Sequence, residues 1–420
     1  MTFTTAQEAV KAVQSGDRVY VHAASATPTI LTDALTDRSS ELSNIEMCHI
    51  HTYGEAKYAD IVYKDTFFVN SLFVSANVRH TIKQGNGSYT PIFLSEMSNE
   101  ILNGELKVDV VLIQVSEPDT HGFCSLGTSV ENIHAAIQTA RVVIAQVNKY
   151  MPRTFGDAFV HVSKINYLVE HHQPLVTMQM GKPAPEELII GNYIAELIED
   201  KSCLQMGIGS IPNAVLSNLT NHKGLGIHTE MFSDGIIPLI TSGVITGEHK
   251  GLLKGKVVST FADGSQELYD FIHENPIVEM KSAPFTNNPY KIAMNDHMIS
   301  INSAIEVDVT GQICADSIGA KVFSGVGGQV DFIYGASMSK GGKSIIALTS
   351  VTNKGVNKIV PFLKQGAGVV TTRSHVDYIV TEFGVAKLSG KSIKKRVEAM
   401  AAIAHPNFRE QILKEYYDSI

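Results

Sequence analysis

The chain has 420 residues, of which 44% are hydrophobic and 18% charged, and its formal net charge is −8. This length exceeds one ordinary core and suits two domains of about 200 residues each. Mild acidity with no dense basic tract argues against nucleic-acid partners. No apolar run reaches the roughly 18 residues of a membrane span.

Taken in chain order, "MTFTTAQEAVKAV" has neither the apolar core of a secretion signal nor the Arg-rich face of a transit peptide, so the expected compartment is the cytoplasm. "VYVHAASATPTILTDAL" (19–35) reads as a strand, a turn of small residues and a helix with proline in its first turn, where the missing N–H costs nothing. "MCHIHTYG" (47–54) puts His49 and His51 at alternating positions. No Cys or acidic partner stands at zinc spacing, so these histidines, with His22, read as polar lining and no metal is expected. "VDVVLIQVS" (108–116) and "ARVVIAQVN" (140–148) read as buried strands. Two prolines in "MGKPAPEE" (180–187) precede a fresh helix at "IGNYIAELIED" (190–200), which divides the chain into domains 1–185 and 186–420.

"CLQMGIGSIPNAVLSNL" (203–219) aligns without gaps on 19–35, with Gly207 and Gly209 opposite Ala23 and Ser25. The pairing points to two related halves, the second bringing its backbone closer to a ligand. "GSQELYDFIHE" (264–274) reads as a helix, and "KSIIALTS" (343–350) and "AGVVTTR" (367–373) as buried strands. Strands alternating with helices imply an α/β fold with mostly parallel sheets. Cys48, Cys124, Cys203 and Cys314 form no CxxC pair and are expected as buried free thiols.

Four places could carry chemistry. The Gly-x-Gly turn of "MGIGSIPNAV" could present amides to a phosphate or an oxyanion, or simply be a tight turn. "SGVGGQVDF" (324–332) holds three glycines in four positions, a costly choice unless the backbone bends unusually or approaches something closely. Asn302 in "INSAIEVD" could hold a carboxylate or carbonyl, or serve as an ordinary turn residue. In "GIHTEMFSDG" (226–235), Glu230 stands among His228, Thr229, Met231 and Phe232, an unusual setting for a solvated acid. A carboxylate so placed can be a base, a ligand or a nucleophile, and neutral donors around it would suit attack on an acyl group.

These motifs, with "VSEPDTHGFCSLGTSV" (115–130), "MPRTFGDAFVHVSKI" (151–165), "SINSAIEVDVTGQICADSIGA" (300–320) and "VVTTRSHVDYIVTEFGVAKLSGKS" (369–392), run the length of the chain. Together they resemble the acetyl-CoA hydrolase/transferase family, and within it the CoA-transferases of short acids such as 4-hydroxybutyrate and butyrate. One departure is Glu117, where relatives often have proline. The resemblance implies two α/β domains of the CoA-transferase type with the active site at their interface. It implies Glu230 as the catalytic carboxylate and Asn302 as the residue that positions its adduct. It implies Gly207, Gly209, Gly325, Gly327 and Gly328 as the oxyanion- and CoA-binding backbone. Coenzyme A would be a co-substrate, with no permanently bound cofactor, and the protein a homodimer or homotetramer. The implied reaction is a ping-pong transfer through a glutamyl-CoA thioester. The alternative is a hydrolase in which water accepts the acyl group.

Overall fold

Strands covered by helices on both faces are apolar at every position rather than alternately. Val110–Val115 and Val142–Val147 meet that condition, being buried throughout. They lie side by side in a computed structural model that describes residues 2–178 and 181–420. The chain divides into two compact units, Met1–Met178 with Val258–Thr286 and Gln179–Val257 with Asn287–Ile420.

The first unit carries an eight-stranded sheet in the order Phe3–Thr4, Tyr167–Glu170, Val142–Val147, Val110–Val115, Arg18–Val21, Ile45–His49, Phe67–Ser71, Gly87–Tyr89. Every pairing in it is parallel. Its core packs Val19, Leu31, Leu35, Ile45, Met47 and Phe67 with their neighbours. The second unit orders Gly384–Lys387, Tyr378–Thr381, Lys343–Ala347, Met298–Ser303, Cys203–Met206 and Gly226–His228. Its pairings are parallel except for the outer hairpin of Tyr378–Thr381 with Gly384–Lys387. The fold is therefore α/β with mostly parallel sheets. All four cysteines are free and buried.

Two elements differ from the sequence reading. "AGVVTTR" is not a strand. Val369 is exposed, and only Thr371 pairs, in an isolated bridge to Ile313. Of its apolar residues only Val370 is buried, in a loop that periodicity cannot separate from a short buried strand. The second difference is the segment 258–286, which a single break near 185 assigns to the second domain and which belongs to the first unit. Long-range pairings hold it there. Val130 N–H donates to Thr260 O at 3.0 Å and Ala262 N–H to Thr128 O at 2.9 Å. The strand Val278–Met280 runs parallel to Phe155–Gly156. Asp263, fully buried, accepts from the Tyr53 hydroxyl, and Lys281 pairs with Asp157 at 3.0 Å. The strand–turn–helix units at 19–35 and 203–219 both form, as Arg18–Val21 with Thr29–Thr36 and Cys203–Met206 with Ser210–Ser217. Their turns bend at different places: Ala24 takes the positive φ in the first, Gly209 in the second. Among the described residues no helix is long and apolar enough to cross a membrane.

Because Asp263 bonds the returning segment to Tyr53, Asp263→Ala leaves a half-buried phenol without its carboxylate partner. The expected cost is about 2–3 kcal/mol of stability. A lower urea midpoint at unchanged slope would show it.

Candidate active site

In parallel sheets the carboxyl ends of the strands release the chain into loops, and ligands collect there. Gly226–His228 lies beside Cys203–Met206, with Cys203 opposite Gly226 and Leu204 opposite Ile227. Thr229 follows directly and is fully buried. Its hydroxyl accepts from Met206 N–H at 3.3 Å and has two carbonyls within donating reach, Met206 O at 3.0 Å and Met231 O at 2.9 Å. The threonine thus pins the exit of one strand to that of the next, and it fixes the backbone from which Glu230 projects. His228, one place earlier, packs edge-on against Phe332 at 6.2 Å.

The Glu230 side chain ends on two neutral donors. Asn287 Nδ2 donates to Oε2 at 2.9 Å, and the Gly328 backbone N–H also donates to the carboxylate. Gly328 is the N-cap of the helix Gln329–Met338, so the carboxylate meets the positive end of a helix dipole. The φ of Gly328 is an ordinary −101°. Glycine stands there for room, since a Cβ would overlap both the Glu230 carboxylate and the Asn287 amide. Gly327, at φ +56°, makes the left-handed bend that brings the loop to this approach. Gly325 opens the same loop. Asn287 is itself fully buried; its Nδ2 also lies 3.4 Å from Asp331 Oδ2, and its Oδ1 has no hydrogen-bond partner.

Burial pushes the Glu230 carboxyl up to about 7, against the two donors, which favour the charged form. The residue nonetheless keeps part of its surface accessible. Glu131 in the first unit gives the contrast. Burial raises it to about 7 as well, but it is fully buried and bonded to the Tyr20 hydroxyl and to Asn132 N–H. Of these two acids, Glu230 is the one that keeps partial exposure.

The remaining expected residues fall as follows. Gly207 and Gly209 follow Met206, the residue that Thr229 grips, and both have open space where a side chain would stand. Gly209 is the N-cap of Ser210–Ser217 at φ +123°. Asn302 ends the next strand along, Met298–Ser303. Its Nδ2 donates to Ser300 Oγ at 2.9 Å and Gln205 Oε1 at 3.2 Å, and its Oδ1 faces Gln205 Nε2 at 3.4 Å. None of its bonds reaches Glu230; the amide on the carboxylate is that of Asn287. The sequence held a signal for this residue. In "TNNPYK", Asn288 alone caps the helix Pro289–Ala293, accepting from Tyr290 N–H at 3.0 Å and Lys291 N–H at 3.3 Å. A second asparagine was therefore surplus to the turn. In the first unit, burial lowers His22 and His49 to about 4, so both are neutral at pH 7. His51 is ringed by Tyr53, Phe73 and Phe261 at 5.7–6.1 Å.

The chain matches the acetyl-CoA hydrolase/transferase N-terminal domain over residues 1–179 and the C-terminal domain of that name over 264–416. It is 47% identical over 413 residues to the 4-hydroxybutyrate coenzyme A transferase of Clostridium kluyveri, covering 98% of this chain and 96% of the relative. It is 46% identical to the succinyl-CoA:acetate/propanoyl-CoA:succinate CoA transferase of Fasciola hepatica, over 97% and 86% of the two chains. The crystal structure of RipA from Yersinia pestis superposes with a TM-score of 0.93 at 34% identity, over 99% and 97% of the chains.

A carboxyl raised to about 7 makes two pH predictions of opposite sign. Stability drawn from Glu230 is fully present below the ordinary carboxylate range and is lost as pH rises through about 7, where a buried group must ionise. Chemistry that needs the carboxylate gains over the same interval, so kcat/KM should rise with pH to a plateau above about 7. Asn287→Ala removes a donor to the charged form. It should move that midpoint upward and lower the plateau about 10- to 100-fold, as read from the pH profile of kcat/KM.

Proposed function

The chain belongs to the acetyl-CoA hydrolase/transferase family, and from that premise we propose that it moves CoA from a short acyl-CoA to a free carboxylate, with Glu230 as covalent carrier. One observation carries this reading: the Glu230 carboxylate is desolvated and accepts hydrogen bonds from two neutral donors, Asn287 and Gly328. Neutral donors orient a carboxylate without the tight ion pairing that would quench its nucleophilicity.

In this mechanism Glu230 attacks the thioester carbonyl carbon. The C–S bond breaks, giving a mixed acyl-glutamyl anhydride and CoA thiolate. The thiolate then attacks the glutamyl carbonyl carbon and expels the donor acid as its carboxylate, leaving CoA on Glu230 as a thioester. An acceptor carboxylate attacks that thioester and releases the thiolate, which takes up the acceptor's acyl group and restores Glu230. Every step conserves charge and the activated bond, so CoA is a co-substrate and no resident cofactor enters. The negative charge that develops on the glutamyl oxygen lies where the Gly328 N–H already points. Holding anhydride and thiolate together makes the second attack effectively unimolecular. The partly closed setting keeps out water, which would otherwise hydrolyse both intermediates.

The named substrates of the two relatives are short acids, among them 4-hydroxybutyrate for one and acetate for the other. We take 4-hydroxybutyryl-CoA or butyryl-CoA as donor and acetate as acceptor, in the cytoplasm, with the enzyme a homodimer or homotetramer. The test supplies butyryl-CoA with and without acetate and follows acetyl-CoA and free CoA separately. Acetyl-CoA should form only with acetate, with little free CoA. Free CoA released equally in both cases would make the protein a hydrolase. Glu230→Gln should retain CoA binding and lose at least about 1,000-fold in turnover. Glu230→Asp, one methylene short, should shift product from acetyl-CoA toward free CoA.

A further inference from the structure

The helix Gln329–Met338 packs on the short helix Pro289–Ala293. Gly335 lets the two lie close, since a side chain there would overlap Ile292. Phe332 and Ala336 from the first helix and Ile292 from the second share one buried cluster with Cys203 and Met298 of the sheet. This packing fixes the spacing of two polar residues that no sequence proximity joins. Asp331 stands in the first turn of the longer helix and is 4% exposed. Asn287, two residues before the shorter helix, is fully buried.

Such rigid placement has a chemical consequence, because a primary amide can be turned round with little change of shape and is oriented only by its partners. Asn287 Nδ2 donates to Glu230 Oε2 at 2.9 Å and to Asp331 Oδ2 at 3.4 Å, so both of its hydrogens are engaged by acids. Its Oδ1 has no hydrogen-bond partner among the described residues. Turning the amide would set Oδ1 against two acid oxygens and leave two buried hydrogens without acceptors. Glu230 alone does not secure this orientation through the reaction. As an anhydride or thioester it has lost the charge that made it a strong acceptor. Asp331 takes no part in the bond changes and keeps its hold. The amide is planar, so with one N–H on Asp331 the other stays directed at the glutamyl oxygen, where the Gly328 N–H also points.

We propose that Asp331 is a positioning residue: it holds the Asn287 amide N–H toward Glu230 through the half of the cycle in which the glutamate is acylated. The inference rests on the CoA-transferase reading of Glu230. When thiolate or acceptor carboxylate attacks the glutamyl carbon, the carbonyl electron pair moves to oxygen. Asn287 and Gly328 then donate to that oxyanion together. Return of the pair expels the leaving group, and no proton moves.

The test combines transfer kinetics with a readout that needs no turnover. That readout is solvent exchange of the Asn287 side-chain NH2, seen by NMR in protein carrying nitrogen-15 asparagine and assigned by its absence from Asn287→Ala. Asp331→Ala should lower kcat about tenfold and leave the KM for butyryl-CoA within about twofold. Its NH2 exchange should be at least about tenfold faster than in the wild type. Asp331→Asn, whose side-chain oxygen still accepts, should keep more of the rate, and it carries the same comparisons should Asp331→Ala fail to fold. In an Asn287→Ala background either change should cost less than about twofold, because a residue that acts through the amide has nothing left to hold. The proposal is overturned if the losses multiply in the double variant, or if a folded Asp331→Ala keeps kcat or NH2 exchange within about twofold of the wild type. A wild type that transfers no CoA, with NH2 exchange that still depends on Asp331, would refute the CoA-transferase reading and leave the hold of Asp331 on Asn287 standing.

Discussion

The hydrogen bonds from Asn287 and Gly328 to the Glu230 carboxylate are the constraint around which the second unit is arranged. A carboxylate taken out of water must recover its hydration from fixed dipoles or give up its charge. Here it recovers part of it. With its carboxyl raised to about 7, the group keeps an ionised fraction near neutral pH. The surrounding choices follow from that need: a residue without a side chain at 328, a left-handed bend at Gly327, a helix start aimed at the acid, and a threonine that locks the strand exit.

A raised carboxyl does not by itself mark a reactive one. Glu131 is shifted as far as Glu230 and for the same first cause, but Tyr20 and the Asn132 amide close over it. It belongs to the buried polar framework of the first unit, with His22, whose Nε2 meets Ser129 O at 2.8 Å. The difference between the two acids is one of access. Function is legible only when desolvation and an approach route are read together.

Much of the fold could be read from composition along the chain, because runs such as "VDVVLIQVS" are too apolar to be anything but covered strands. "AGVVTTR" is a shorter apolar run with a different fate: it is a loop that touches the small sheet through one bridge, Thr371 to Ile313, and leaves Val369 exposed. The return of 258–286 to the first unit left no local trace. Its cause is a set of pairings, Thr260 with Val130 and Asp263 with Tyr53, between residues more than a hundred positions apart. At the site, Glu230 stood out because an acid among apolar neighbours is costly, and the 325–328 loop because clustered glycine is costly. Asn287 did not stand out, because in "TNNPYK" the turn before Pro289 explains Asn288 and masks the asparagine beside it. The cost of leaving its amide buried appears only once the chain has folded around it.

The most direct test of a covalent glutamate is to look for what it carries. The protein is incubated with butyryl-CoA without any acceptor acid, quenched, digested and analysed by mass spectrometry. A CoA adduct confined to the peptide containing Glu230, absent from Glu230→Gln and discharged by acetate as acetyl-CoA, is the result expected of the carrier described above. Turnover with acetate but no adduct on that peptide under any quench would contradict it, and Glu230 would then be a base or an orienting group rather than the nucleophile.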